Sequence, residues 1–265
     1  MKHTACKIAV LVLGCMSPVV LSAAGPCNSS TLNGTYLYRI TGTIYTGGTG
    51  VHTTGPAGDF AAVGLLRLNN GSGTGVESSS NVGVLGQRTF TITYKINDQD
   101  CSANTDLSYC PENCLGAIPG LNNLVMASDG SYAWFVNTVP NTSLTGELRK
   151  VPGGACTVLS GSYNQITSGA GLNGRGNAQP VASTARFASV GAAVAGGSTQ
   201  DIAAFGGLII PRTYTNPAAL NPDCTGELGV GSLNPAKIYA AGDGSEAVVL
   251  NWFPGTIVSG WLRRQ

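Results

Sequence analysis

The chain repeats itself. Leu32-Asn-Gly-Thr-Tyr36 returns 127 positions later as Leu159-Ser-Gly-Ser-Tyr163, and Phe60-Ala-Ala-Val-Gly64 returns at the same spacing as Phe187-Ala-Ser-Val-Gly191. Arg88-Thr-Phe90 is matched by Arg212-Thr-Tyr214, and Asp100-Cys101-Ser102 by Asp223-Cys224-Thr225. Asp129-Gly-Ser131 recurs 114 positions on as Asp243-Gly-Ser245. Asn137, Pro140, Gly146, Leu148 and Arg149 recur at that same spacing as Asn251, Pro254, Gly260, Leu262 and Arg263. Ordered matches whose spacing only shrinks indicate a duplication in which the second copy lost loop residues, chiefly opposite residues 103–123. Each copy must therefore be a unit that builds its own core from about 120 residues. The copies span residues 25–150 and 156–265, with the linker composition Val151-Pro-Gly-Gly-Ala155 between them.

The residues before the first copy read as an export signal. Lys2 and Lys7 precede the apolar run Ile8 to Leu21, and Ser22-Ala23-Ala24 places small residues where signal peptidase cuts, so cleavage is expected after Ala24. The run falls short of the ~20 apolar residues that a spanning helix needs. An alternative reading is lipidation at Cys15, because Val12-Leu13-Gly14-Cys15 is similar to a lipobox. Either way the protein is expected to be secreted, periplasmic or at the cell surface, without a membrane span.

Within a copy the strand signals are strong. Thr89 to Ile96 alternates, with Phe90, Ile92, Tyr94 and Ile96 on one face and Thr89, Thr91, Thr93 and Lys95 on the other. From Thr35, Tyr36, Tyr38 and Ile40 share one face and Arg39 takes the other. Asn69-Asn-Gly71 and Asp129-Gly130 read as hairpin turns, since Asn and Gly accept positive φ. Gly, at 38 of 265 residues, is roughly twice its usual share, and no sustained helical stripe follows the signal. The first copy is read as strands at 35–45, 59–69, 73–80, 89–97, 101–108, 122–128, 132–138 and 143–149. The expected fold is all-β: two tandem antiparallel barrels of about eight strands each, closure removing the exposed edges of an open sheet. A two-sheet sandwich is the alternative.

Six cysteines follow the signal: Cys27, Cys101, Cys110, Cys114, Cys156 and Cys224. The repeat prunes their fifteen possible pairings. Cys27 and Cys156 open their copies and Cys101 and Cys224 share the Asp-Cys-Ser/Thr motif, so Cys27–Cys101 and Cys156–Cys224 are expected, leaving Cys110–Cys114 to pair locally. Zinc at Cys110-Pro-Glu-Asn-Cys114 lacks a second ligand pair. Disulfides are therefore favoured over metal.

Charge excludes one class of function. Without Lys2 and Lys7, twelve basic residues face thirteen acidic ones, which is no footprint for nucleic acid. Only 10% of residues are charged, so the surface must draw its polarity from Ser, Thr, Asn and Gly.

No catalytic constellation emerges. His52 lies in a Gly/Thr loop that has no counterpart in the second copy, Glu147 faces a counterpart in Trp261, and Asp100 and Asp223 read as turn caps. Asp98 to Asn104 spaces its oxygens like a calcium loop but lacks the Gly and closing Glu of one. Thr46-Gly-Gly-Thr-Gly50 lacks the Lys and helix of a phosphate loop. Trp134, Trp252 and Trp261 read as core, and Arg149-Lys150 and Arg263-Arg264 as solvated strand ends. No cofactor or metal is expected.

The segments Leu159 to Tyr163, Phe187 to Gly191, Asn221 to Gly226, Asp243-Gly244 and Pro254 to Gln265 together resemble the pattern of a family of uncharacterised bacterial exported proteins. Its units are similar to lipocalin or allene-oxide-cyclase barrels. The resemblance covers nearly the whole chain after the signal, implies a barrel fold and an envelope or extracellular setting, and transfers no catalytic residue.

Three functional readings follow. The first is a non-enzymatic barrel holding a small apolar ligand against Tyr36, Tyr38, Phe90, Tyr94 and Trp134. The second is a structural or adhesive component of the cell surface that associates with itself, helped by weak charge repulsion. The third is a cyclase or isomerase working by shape. A partner-binding module contacting others through the Cys110–Cys114 loop is a further possibility.

Overall fold

The structure is a computed structural model that describes residues 27–45, 57–109, 120–156, 159–172, 178–190, 193–195, 201–205, 208–212, 216–229 and 235–265. The signal segment, Cys15, His52, Cys110, Cys114 and Arg212-Thr-Tyr214 as a whole motif lie outside the described residues.

Eight strands build the first unit: β1 (Gly34–Ile44), β2 (Gly58–Asn69), β3 (Ser72–Asn81), β4 (Val84–Asn97), β5 (Ser102–Tyr109), β6 (Gly120–Met126), β7 (Tyr132–Asn137) and β8 (Thr142–Val151). All neighbours are antiparallel, and β8 pairs back onto β1 with Arg39 opposite Glu147, so the barrel is closed. Closure rules out the sandwich for this unit. Seven of the eight expected spans match to within about two residues at each end, and β4 starts five residues earlier than expected, at Val84. Turn chemistry explains much of that: Asn70 and Gly71 both take positive φ (45° and 90°), as the turn before Ser72 demands. The β3–β4 turn was not foreseen, because it puts Val82 at φ 50°, where a β-branched residue is strained.

The remaining strands are β9 (Gly161–Leu172), β10 (Ala178–Val190), β11 (Ala193–Ala195), β12 (Asp201–Phe205), β13 (Leu208–Arg212), β14 (Asn216–Leu220), β15 (Thr225–Leu228), β16 (Ala236–Ala240), β17 (Glu246–Asn251) and β18 (Thr256–Arg264). They form one sheet in the order β11-β14-β15-β16-β17-β18-β9-β10-β12-β13, and β11 also pairs with β10. No helix occurs among the described residues. One sequence match fails as a spatial equivalence. Phe60 pairs with Gly42 on β1, whereas Phe187 pairs with Tyr163, the match of Tyr36. The Phe-Ala-x-Val-Gly segments therefore sit six residues apart in ladder position.

Both long-range disulfides expected from the repeat are present, Cys27–Cys101 and Cys156–Cys224. Each second cysteine has positive φ, and the preceding Asp caps the turn: Asp100 Oδ1 accepts the Ser102 N–H and Asp223 Oδ1 the Thr225 N–H. Hydrogen bonds from the Ser102 hydroxyl and then the Ser102 N–H hold the Asp100 carboxyl below the usual carboxylate range. The disulfides indicate an oxidising, non-cytoplasmic compartment. No described helix is long and apolar enough to cross a membrane.

Three apolar clusters result. The barrel interior holds Tyr36, Tyr38, Ile40, Phe60, Leu66, Phe90 and their neighbours. A second cluster lies outside the barrel wall, where Leu37, Ala61, Val63 and Leu65 pack against Tyr239, Val248, Leu250 and Trp261. This explains why Phe60 to Leu66 does not alternate: β2 is covered on both faces. The third fills the inner face of the second sheet around Tyr163, Ile238 and Leu262.

Candidate functional site

Four of the five proposed lining aromatics point into the barrel, and they fill it. Tyr36, Tyr38, Phe90 and Tyr94 are all buried. The Tyr36 hydroxyl donates to Gly130 O (2.8 Å) and the Tyr94 hydroxyl to Ser29 O (3.0 Å). Three aromatic rings lie over the glycine directly opposite on the next strand: Tyr38 over Gly64, Phe90 over Gly75 and Phe135 over Gly146. A β-carbon on Gly75 would sit 2.3 Å from Phe90 Cζ, and one on Gly146 would sit 2.2 Å from Phe135 Cζ. Space that glycine leaves open is thus taken by a ring, and the cavity that remains is about 40 Å³. That holds a few waters. It falls well below the roughly 300–1,000 Å³ of drug-sized ligand pockets.

Trp134 corrects the fifth assignment and the expectation that it is core. Its strand alternates the other way: Ala133 and Phe135 are buried, while Trp134 is 60% exposed, with Val125 and Val136 exposed beside it. Its ring meets Tyr132 edge-on, 4.3 Å between centroids. Trp252 is half-buried, and only Trp261 of the three is buried as expected.

The interior also contains a carboxylate that sequence reasoning passed over. Glu77 is 1% exposed. Its Oε2 accepts the Tyr38 hydroxyl (3.0 Å), and its Oε1 accepts Arg88 Nε (2.8 Å) and Nη2. A buried charge is tolerable only when paired and bonded in this way. The available signal was the cross-strand register Glu77 opposite Arg88, hidden in the apolar-poor stretch Val76-Glu-Ser-Ser-Ser80.

The larger concavity lies at the junction of barrel and second sheet. It measures about 370 Å³ and is lined by Gln87 from β4 and by Ala219, Asn221, Thr225, Gly226, Glu227, Lys237 and Tyr239 from β14 to β16 and the turn between the first two. Its walls are fixed from several directions. The Cys156–Cys224 bond and the Asp223 cap hold the start of β15, and Arg67 of the barrel donates through Nη2 to Asp223 O (2.9 Å). Gly226 allows close approach of β14, since a β-carbon there would lie 2.2 Å from Ala219 O. Tyr239 is bonded to Ser78 of β3 through the two hydroxyl oxygens (2.7 Å).

The electrostatics of this pocket are balanced. Lys237 Nζ donates to Glu227 Oε1, and the same ammonium lies 5.1 Å from the Trp252 ring centroid. Burial pushes the Tyr239 hydroxyl well above its ordinary range, with help from the Glu77 and Asp223 charges, so it stays protonated at neutral pH. The acid and the amine neutralise each other, and the phenol is no base. What remains is a polar surface of two amides and one ion pair, with the Thr225 hydroxyl bonded to Asp223 and Asn221 and the Tyr239 hydroxyl to Ser78.

Other polar contacts lock the junction. Arg39 donates to Ser259 Oγ (2.9 Å) and Ser168 Oγ (2.7 Å), and Ser80 Oγ donates to Thr256 O (2.6 Å). Glu147 accepts from Tyr132, Trp261 and Arg149, and the Arg149 guanidinium stands 4.5 Å over the Trp261 ring. Arg149 is therefore a junction residue rather than a solvated strand end. Among the described residues, no group of three or more His, Cys, Asp or Glu is arranged to hold a metal ion.

No protein-family model and no curated protein matches the chain. Among solved structures it is similar to kievitone hydratase from Nectria haematococca (7% identity, 91% of this chain and 90% of that one, TM-score 0.31). It is also similar to an ATTH protein from Nitrosomonas europaea (8% identity, 87% and 92%, TM-score 0.28). Likenesses at this level carry no argument about substrate or chemistry.

Proposed function

We propose that the chain is an exported, non-enzymatic binding protein made of a duplicated barrel unit, and that its ligand site is the junction pocket rather than the barrel interior. One contrast carries this reading: about 40 Å³ of space inside the barrel against about 370 Å³ of polar-lined space between the units. The ligand is accordingly polar, not the apolar molecule that the inward aromatics suggested. Glu227 and Lys237 engage each other and leave no unpaired acid or base in the pocket, which supports binding over catalysis.

Several equivalences support the duplication. Tyr36 donates to Gly130 O and Tyr163 to Gly244 O, with both glycines at φ 67°. Arg39 faces Glu147 in one ladder, and their matches Ile166 and Trp261 face each other in the other. Strands β9, β10, β11, β14, β15, β16, β17 and β18 pair in a cycle, which supports a second barrel with β12–β13 as an added hairpin. The disulfides support export.

The test is native mass spectrometry of protein purified without reduction from an oxidising compartment, for the wild type and for Lys237→Met. Reproducible extra mass on the wild-type monomer, lost in the variant, is the expected result. Extra mass retained in Lys237→Met would place the ligand elsewhere. The exposed Val125, Trp134 and Val136 favour a second reading, self-association through the β6–β7 face. That reading expects concentration-dependent dimers that Trp134→Ser abolishes in sedimentation velocity.

A further inference from the structure

We infer that the junction pocket takes a neutral, polyhydroxylated ligand, namely a mono- or disaccharide unit. The inference rests on the reading that this pocket is the binding site.

Charge comes first. The lining holds one carboxylate and one ammonium, already bonded to each other, so its formal charge is zero. The neighbouring cation Arg67 has Nη2 on the Asp223 carbonyl. An anionic or cationic ligand would have to break the Glu227–Lys237 pair or remain uncompensated, and half-buried charge without a partner is costly.

The functional groups come second. Part of the lining is bonded within the protein: Asn221 Nδ2 donates to Thr225 Oγ1 (3.1 Å), the Thr225 hydroxyl donates to Asp223 Oδ1 (2.7 Å), and the Tyr239 hydroxyl engages Ser78 and Gln87. The capacity left to a ligand is the rest of the Gln87 and Asn221 amides, each with two N–H groups and a carbonyl oxygen, and the Glu227 carboxylate oxygen that Lys237 does not occupy. An apolar ligand would strip water from these groups and return nothing, at about 1–3 kcal/mol for each group left unpaired. Neighbouring hydroxyls on a sugar ring match amides and carboxylates, each of which can engage two of them at once.

Shape comes third. A pocket of about 370 Å³ is at the small end of ligand sites, and the small residues Ala219 and Gly226 form part of its wall. The lining aromatic, Tyr239, is 1% exposed and offers no free ring face. A nucleobase would require such a face to stack on. A sugar does not, provided its hydroxyls are bonded.

The experiment is amide-detected NMR titration of the full exported chain with cellobiose, maltose, lactose and chitobiose, with citrate, spermidine and decanol as charged and apolar probes. At least one saccharide is expected to shift the Thr225, Glu227 and Lys237 amides saturably. Gln87→Ala and Asn221→Ala are each expected to weaken that binding by about tenfold. Gln87→Ala truncates an exposed side chain, whereas Asn221→Ala also gives up the bond from Nδ2 to Thr225 Oγ1, so an unchanged urea midpoint is the folding control for the second variant. Citrate, spermidine or decanol shifting these amides while no saccharide does would overturn the ligand class and leave the site standing. No probe of any class reaching these amides would overturn the site itself. Saccharide binding unchanged in both variants would place the sugar elsewhere and overturn the inference.

Discussion

Trp261 donates its indole N–H to Glu147 across the junction, although the sequence matches these two residues to each other as counterparts in the two copies. Glu147 stands opposite Arg39 on β1, and Trp261 stands opposite Ile166 on β9. The contact therefore lies where the barrel and the second sheet face each other. Glu147 also accepts from Tyr132 and Arg149. Removing its charge strands several donors at once. Glu147→Ala is expected to cost about 1–3 kcal/mol in chemical denaturation. Combined with Trp261→Phe, it should show a coupling energy above about 0.5 kcal/mol. Strict additivity would mean the contact contributes nothing to holding the units together.

The two disulfides close loops of similar length, with sequence separations of 74 and 68, so their chain-entropy contributions should be nearly equal, about 4 kcal/mol each. Their local consequences differ. Cys224 anchors the strand that carries Thr225 and Glu227 into the pocket, whereas Cys101 caps a turn of the first barrel. Replacing Cys156 and Cys224 with Ala should therefore lower amide hydrogen-exchange protection at Thr225 and Glu227 under native conditions. The Cys27→Ala/Cys101→Ala chain should lose comparable global stability and keep that protection. Equal loss in both chains would argue against local pinning of the pocket.

Much of the first barrel was legible because its signals are local. Alternation placed Phe90, Ile92 and Tyr94 inward, and Asn70-Gly71 fixed a turn. Two errors have the same physical source. In Tyr132-Ala-Trp-Phe-Val-Asn137 either parity carries aromatics, so the sequence cannot orient Trp134, and burial went to Ala133 and Phe135. Glu77 was missed because a buried carboxylate depends on Tyr38 and Arg88, 39 and 11 residues away. The pocket was illegible for a stronger reason. Gln87 on β4 meets Tyr239 and Asn221 only where the barrel packs against the second sheet, more than 130 residues apart in the chain, and no local pattern encodes that packing.

The glycine–aromatic pairs make a sharp packing prediction. Gly75→Ala places a methyl against the Phe90 ring inside a nearly full barrel, and is expected to cost about 1–3 kcal/mol through overpacking. The shorter side chain of Phe90→Leu makes room for that methyl. The double variant should therefore be more stable than the sum of the two single losses implies, as measured by urea denaturation. A neutral Gly75→Ala would show that the barrel wall moves easily, and it would reopen the interior as a ligand site.

Glu147 and Glu246 should respond to pH with opposite signs. For Glu147, burial raises the carboxyl, but bonds from Tyr132 and Trp261 and the Arg149 charge outweigh burial and leave it below its ordinary value. Such a group adds stability above the unfolded carboxyl pKa of about 4.3, and that stability is lost as pH falls through the folded value. For Glu246, burial dominates, the Glu147 and Asp243 charges assist it, and the carboxyl is raised despite Arg149. It favours the fold fully only below about pH 4.3, and that contribution is lost as pH climbs through the raised folded value. Glu246→Gln is therefore expected to match wild type near pH 3 and exceed it at pH 7. Glu147→Gln should fall below wild type at pH 7 and approach it on acidification. The Arg263 partner of Glu246 is half exposed at 3.3 Å and offsets little of the gain. Unfolding free energies of the three chains between pH 3 and 7 decide the matter, and curves that run parallel would show that neither carboxylate couples to folding.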